Sequence, residues 1–455
     1  MEQTYIMVTI LSEKLSIRAH AVAILDHFDK ERFRLSSIYE KYFDSNILNR
    51  KYRSEITHLV QEIMRQRSFL DYVITSLFMG HYRSADPTLK NALRLGVYEI
   101  LFRDHVPDFA AVNEAVNLIK RKRGKGPAGL TNALLRKVRT NISSIVEKPS
   151  SSLSLTKSSA LLSHPKWLMK RWINYFGWEE TEKLCLWNNQ MPNITIRMNS
   201  YRTNQIELEN SMSKENIFWK KNEILPEYYL IKETSKLMNS HQFFKGDFSF
   251  QDVSSGLISS LIKPKQGDTV LDVCAAPGGK ICAIAEKLKN KGIFYAYDIN
   301  PDRVRLLKNT VNRLGLNSIF CGEKDATIDN FPKASFVLVD APCTGTGVMG
   351  KRADLRWRRK KSDIREMVKI QKNILSHCIN FVKYTGELVY ATCSLEPEEN
   401  WNIIDEFLAK NSNFSILNAN KRVSKNFIDK RGALSTFPPE HGIDGVFGVI
   451  LKRNS

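Results

Sequence analysis

The spacing of apolar positions changes character along the chain. Val22, Leu25 and Phe28 recur at helical spacing, as do Leu59, Ile63 and the pair Phe69 and Leu70 further on. Leu93 to Phe102 is apolar over a wide face and predicts a buried helix. Asp86-Pro87 and Val106-Pro107-Asp108 separate these helices as turns. Pro149 to Ser159 holds six serines in eleven residues and reads as a linker. Ser163 to Trp172 opens a new helical segment. After about residue 245, short β-rich runs alternate with amphipathic helices. Thr269–Val273, Ile293–Tyr297, Phe336–Val339 and Leu388–Ala391 are the clearest strands, with another near Ile319–Cys321. Strands separated by helices predict βαβ units and a mostly parallel sheet. The fold class is therefore multidomain: an all-α domain over 1–148, a serine-rich linker over 149–160, a small bridging α+β subdomain over 161–245, and an α/β domain over 246–455.

Length and charge narrow the function classes. The 455 residues exceed one ordinary core. With 42% apolar and 25% charged residues the chain is globular, and no run approaches the roughly 18 apolar residues of a membrane span. Met1 to Ile10 lacks a basic segment before an apolar one and is a poor signal peptide. Seven cysteines, an odd number without a C-x-x-C pair, support neither a disulfide scaffold nor a zinc site. They fit a reducing cytoplasm. No membrane partner and no metal are expected.

The net charge of +20 asks for a polyanionic partner. Between Glu114 and Glu147 there is no acidic residue, while Lys120, Arg121, Lys122, Arg123, Lys125, Arg136, Lys137 and Arg139 fall inside. Gly124, Gly126, Pro127 and Gly129 predict helix, loop and helix. Such a window suits a phosphate-binding surface rather than a merely solvated charge run. A second run, Lys351 to Lys361, holds seven cations and one acid, Asp354. Arg352 and Arg356 could reach phosphates there and Trp357 could stack on a base, or the run could be a solvated helix face.

Candidate chemistry gathers at the carboxyl ends of the expected strands, where open α/β sheets bind ligands. Thr269 to Val273 runs into Cys274-Ala275-Ala276-Pro277-Gly278-Gly279-Lys280. This is neither a P-loop nor a dinucleotide fingerprint. Asp298, Asp325 and Asp340 follow successive strands, and three carboxylates beside a glycine-rich turn favour a nucleoside-bearing cofactor. Cys343 and Cys393 share that edge, and nearby cations would lower a thiol pKa. Cys185, Cys282, Cys321 and Cys378 are read as core residues.

Cys274 to Lys280, Asp340-Ala-Pro-Cys343-Thr-Gly-Thr-Gly347 and Ala391-Thr-Cys393-Ser-Leu-Glu-Pro-Glu-Glu-Asn400 closely resemble the S-adenosylmethionine-dependent RNA 5-methylcytosine methyltransferases. Gln251 to Ser255 and Asp444 to Phe447 are similar to that family's flanking motifs. Ala111 to Val116 and Leu130 to Arg136 resemble the NusB-type RNA-binding domain. A fusion of the two is similar to the Sun subfamily, which acts on small-subunit ribosomal RNA. The resemblance implies a NusB-like helical domain and a Rossmann-like class I methyltransferase domain. It implies S-adenosyl-L-methionine as cofactor, held by residues 274–280, Asp298 at the ribose, Asp325 at the adenine, and Asp340.

By the same resemblance, Cys393 would attack C6 of a cytosine in 16S rRNA, cytosine 967. Asp340 would stabilise charge at N3, and Cys343 would assist proton loss and release. The implied partner is 16S rRNA before full subunit assembly, met by a monomer. Two alternatives stay open: the same chemistry on tRNA, and a non-catalytic antitermination-type RNA-binding factor. The family often has Thr where Ile281 stands, and Arg-Arg-His-Pro-Asp where Gly350-Lys-Arg-Ala-Asp354 stands, so substrate contacts near 350–354 are expected to differ.

Overall fold

The computed structural model describes residues 15–31, 33–232 and 234–454. The signal-peptide reading at Met1 to Ile10 lies outside them. The chain divides into two compact units, one of residues 1–191 with 349–359, the other of 192–348 with 360–455.

Among the described residues the first unit is helical, its longer helices being α1 (Ile17–Glu31), α2 (Leu35–Ser45), α3 (Arg50–Arg65), α4 (Arg67–Leu77), α5 (Pro87–Phe102), α6 (Asp108–Arg123), α7 (Lys125–Ile145) and α8 (Lys166–Asn189), the last broken at Gly177. Val22, Leu25, Phe28, Leu59 and Ile63 are all buried in its core, as the helical periodicity requires. The buried helix expected at Leu93 to Phe102 is the C-terminal part of α5. Its start is set by Asp86, which accepts from the Leu89 amide at 3.2 Å, and by Pro87 at the first helical position. A Cβ at Gly96 would lie 2.6 Å from Leu135 Cδ1, so glycine there allows α5 and α7 to approach closely. Burial extends to polar groups, which are therefore paired. Arg94 bonds Asp71 at 2.7 and 2.9 Å, and Glu99 accepts from Arg18 at 2.8 Å.

Only Gly124 separates α6 from α7; Gly126, Pro127 and Gly129 lie in the first turns of α7. Amides in a first turn have no intrahelical acceptor, so proline costs nothing there. The serine-rich stretch is also not a loose tether. Leu155–Leu161 forms a short helix capped by Ser154, with Ser158 and Ser159 buried. Their hydroxyls bond the carbonyls of Ser150 and Thr156, which lets serine enter a packed helix.

The second unit carries both sheets. β1 (Ile194–Met198), β2 (Trp219–Lys221), β3 (Tyr228–Ile231) and β4 (Phe248–Phe250) form a small antiparallel sheet in the order β2-β3-β1-β4, with α9 (Gln205–Lys214) between β1 and β2. Of the bridging segment, residues 161–191 group with the helices and the strands with the second unit.

The larger sheet comprises β5 (Thr269–Asp272), β6 (Ile293–Asp298), β7 (Ile319–Glu323), β8 (Ala334–Asp340), β9 (Val382–Thr392), β10 (Phe414–Leu417), β11 (Leu434–Ser435) and β12 (Phe447–Arg453). Its order is β10-β12-β9-β8-β5-β6-β7, with β11 paired to β12. The five strands β5 to β9 run parallel, and β12 joins β9 antiparallel. Its longer helices are α10 (Val253–Ser260), α11 (Gly279–Lys287), α12 (Pro301–Leu314), α13 (Lys361–Cys378) and α14 (Trp401–Lys410). Strand order reverses between β5 and β8, which opens a crevice at their carboxyl ends.

Candidate functional site

The turn from β5 into α11 is built by backbone geometry. Gly278 has φ +103°, and a Cβ there would meet Leu307 Cδ1 at 2.8 Å. Glycine is therefore dictated twice, by conformation and by space. The Ala276–Pro277 peptide is cis. The Ala275 amide donates to Tyr297 O at 2.8 Å, and the Ala276 amide to Asp298 Oδ2 at 3.3 Å. Loop 274–280 is thus stitched to the end of β6. The small sheet holds its other side: Arg197 pairs with Glu286 of α11 at 2.7 Å, both fully buried, and donates to Gly279 O at 2.8 Å. Sequence reasoning missed Arg197 and Glu286, since nothing local links residues 89 positions apart.

Carboxylates line the crevice. Asp298 is buried and pairs with Arg303 at 3.0 Å. Asp325, just past β7, accepts from the Thr327 amide and hydroxyl at 2.8 and 2.6 Å. Asp340 closes β8 and pairs with Lys280 Nζ at 2.5 Å. Asp272, at the end of β5, was not singled out from sequence. Burial pushes its carboxyl up to about 8, with Asp340 adding to the rise and Lys280 opposing it. The available signal was its position: an acid closing the first strand of a parallel sheet. Burial pulls the Lys280 ammonium down, but Asp340 beside it outweighs that and holds it above the ordinary lysine value.

The two singled-out thiols meet. Cys343 Sγ and Cys393 Sγ are 3.2 Å apart. Asp340 lies opposite Ala391 in the β8–β9 register, so Cys343 and Cys393 leave adjacent parallel strands at the same level. The Gly347 amide donates to Cys393 O at 3.0 Å and closes the two loops on each other. The hydrogen bond to Cys393, followed by burial, holds the Cys343 thiol well above its ordinary value. A cation that acts on Cys393 is Lys280, from a different loop than the 351–361 run that the sequence suggested. Burial also keeps the Cys274 thiol protonated. Cys185, Cys282 and Cys378 are fully buried, whereas Cys321 is partly exposed.

The basic residues separate into two groups. Lys120, Arg121, Lys122, Lys125, Arg136 and Lys137 are exposed on α6 and α7. Arg123 is exposed but pairs with Asp86 at 2.9 Å, and Arg139 with Asp108 at 2.9 Å, so a window free of acids in sequence is not free of them in space. Arg352 is exposed. Arg356 corrects the sequence reading: it is 1% exposed, and its guanidinium faces the carbonyls of Arg65 and Ser163. Trp357 is likewise turned inward, packing on the helical core and donating to Met64 O at 2.7 Å. Arg356 is therefore not offered to RNA; its two terminal nitrogens find acceptors inside the unit, while Trp357 stays partly exposed.

Three family models match the chain. Residues 259–452 match the 16S rRNA methyltransferase RsmB/F model, 15–140 the NusB family, and 164–236 the ferredoxin-like domain of RsmF/B-like methyltransferases. A probable ribosomal RNA small subunit methyltransferase B of Bacillus subtilis (strain 168) is 33% identical over 97% of this chain and 99% of its own length. The chain belongs to the RsmB/F family of 16S rRNA methyltransferases. The Synechocystis relative is 31% identical over 96% of this chain and all of its own. The solved structure of PH0851 covers 97% of this chain and 99% of its own at TM-score 0.78, with 28% identity. NSun6 from Pyrococcus horikoshii, solved with SFG, covers 64% of this chain at TM-score 0.57 and 22% identity, and shares the fold. As an RsmB/F member the protein is an S-adenosylmethionine-dependent rRNA methyltransferase.

The donor set fits that cofactor. Three carboxylates, Asp298, Asp325 and Asp340, stand at or just past strand ends beside the buried Asp272, while Lys280 and Arg303 are already paired. Such a site favours a cationic sulfonium and ribose hydroxyls over a phosphate. Among the described residues no group of three or more His, Cys, Asp or Glu could hold a metal ion, and no helix is long and apolar enough to cross a membrane.

Proposed function

We propose that this RsmB/F methyltransferase modifies C5 of a cytosine in 16S rRNA, cytosine 967 by resemblance, through a covalent bond between Cys393 and C6. The observation that carries the reading is the pair of thiols 3.2 Å apart beside the Lys280–Asp340 ion pair. C5 of cytosine is a poor nucleophile. Addition of the Cys393 thiolate at C6 makes C5 enamine-like, and the Lys280 ammonium favours the thiolate. Asp340, in its protonated form or through a hydrogen bond, stabilises the charge developing at N3. Cys343 serves the later step as its thiolate, a strong base in these surroundings: it accepts the C5 proton while the C5=C6 bond re-forms and Cys393 leaves as thiolate. Loop 274–280, Asp298 and Asp325 would hold the cofactor, which supplies an electrophilic methyl group when bound. The target base must leave its stack to reach the thiols. The exposed cations of α6 and α7 would capture the RNA backbone.

Bisulfite mapping of rRNA from cells lacking the gene tests substrate and position together. One unconverted cytosine of 16S rRNA should become convertible. Loss at a tRNA site instead would replace the substrate. C393A should bind cofactor but transfer no methyl, and C343A should accumulate a covalent protein–RNA species. Turnover by C393A would remove the nucleophile assignment.

A further inference from the structure

Behind the two thiols lies a carboxylate that the reaction above does not use. Glu399 is wholly buried, and among the described residues it has no ion pair. Its Oε1 accepts from the Thr344 amide and from Gln371 Nε2, both at 2.9 Å. Its Oε2 accepts from the Thr344 and Ser394 hydroxyls. Thr344 follows Cys343 and Ser394 follows Cys393. Gln371, from α13, also donates to Pro342 O at 2.8 Å, so both neighbours of Cys343 are held. The next residue, Asn400, treats the other loop alike: it accepts from Thr392 Oγ1 at 2.6 Å and donates to Ser394 O at 2.9 Å.

Burying a carboxylate with only neutral donors is costly, so a fold retains it where several donors need one acceptor. A carboxylate is the side chain that can accept about four hydrogen bonds in one plane. An amide in its place offers one acceptor oxygen and presents N–H groups on the other side. The geometry points to Glu399 as a positioning residue. It ties the Cys343 loop to the Cys393 loop and sets the distance and direction between the thiols, on which attack at C6 and release both depend. The inference rests on the proposed roles of the two cysteines.

The test uses the full chain with E399A and E399Q, and with S394A and T344V, which each remove one hydroxyl donor. Four readouts are taken: melting temperature, S-adenosylmethionine affinity, single-turnover methyl transfer to rRNA from cells lacking the enzyme, and the yield of a Cys343–Cys393 disulfide after brief diamide treatment. In the last, diamide takes up the two thiol hydrogens as the S–S bond forms and is reduced to its hydrazine. E399A should slow methyl transfer about a hundredfold, the cost of roughly 1 Å of misplacement, and lower the disulfide yield while cofactor affinity stays within about twofold. E399Q should fall between E399A and the unaltered protein. S394A in the E399Q background should add less than it does alone.

If E399A does not fold, E399Q and the two hydroxyl variants carry the same comparison. Rates within about threefold in every folded variant would overturn the inference. So would a slowed rate with unchanged disulfide yield, or one that merely follows lost cofactor binding. C393A run alongside keeps the two readings separable. Its turnover would remove the nucleophile assignment, whereas the disulfide yield of the Glu399 variants reports thiol spacing whichever thiol attacks.

Discussion

Truncating Arg356 to alanine separates a structural cation from an RNA-binding one. The side chain is fully buried in the helical unit. It donates to Arg65 O at 3.0 Å, Ser163 O at 3.2 Å, Asn189 Oδ1 at 2.6 Å and Met349 O at 3.5 Å, and also to Asn188 O. Its charge is solvated by carbonyl dipoles, with burial and the neighbouring Arg65 both lowering its pKa. Alanine would leave several buried acceptors empty at about 1 kcal/mol each and open a cavity, for a loss of about 3–5 kcal/mol. Amides across 62–66 and 349–359 should then exchange roughly a hundredfold to a few thousandfold faster. Hydrogen exchange by mass spectrometry, with urea unfolding beside it, measures this. The reasoning fails if R356A keeps full protection but binds RNA more weakly, with a salt slope smaller by about one phosphate. Lysine should not rescue, since a single ammonium cannot meet acceptors spread around a planar fork.

Other outcomes follow from the catalytic unit and the basic helices. G278A should weaken S-adenosylmethionine binding at least about tenfold and lower the melting temperature, because φ +103° and the 2.8 Å approach to Leu307 both exclude a Cβ; unchanged calorimetric affinity would contradict this. Asp272 titrates near 8 when folded, against an ordinary 3.8, so between these the folded state holds a proton the unfolded chain lacks. Its contribution is complete below the lower value and is lost as pH rises through the upper one. D272N should flatten that decline in urea unfolding from pH 5 to 9, and parallel curves would refute the assignment. Changing Lys120, Lys122 and Lys125 to glutamine should lower the salt slope of RNA binding by about one for each phosphate no longer neutralised. R123Q should lower it less, since Arg123 already pairs with Asp86.

Much of this protein is written locally. Helical period before residue 150 and strand–helix alternation after 245 specify the two kinds of layer, because amphipathic spacing needs only near neighbours. The strands at Thr269, Ile293, Phe336 and Leu388 lie where the apolar runs placed them, and loop 274–280, Asp298, Asp340, Cys343 and Cys393 gather at one edge because a parallel sheet aligns its carboxyl ends. What depended on distant residues was not legible. The charge run at 351–361 reads as one surface, yet Arg356 is buried and Trp357 partly buried against carbonyls of α3 and α8, nearly 300 and about 170 positions away. The acid-free window meets Asp86 and Asp108 only once α6 packs on α5 and α7 on α6. That Cys343 and Cys393 share an edge was legible; their contact at 3.2 Å, and the buried Glu399 behind them, were not. Sequence sets what each segment prefers to be; the partner that satisfies a buried charge or a donor group is chosen by packing, and only the tertiary structure supplies it.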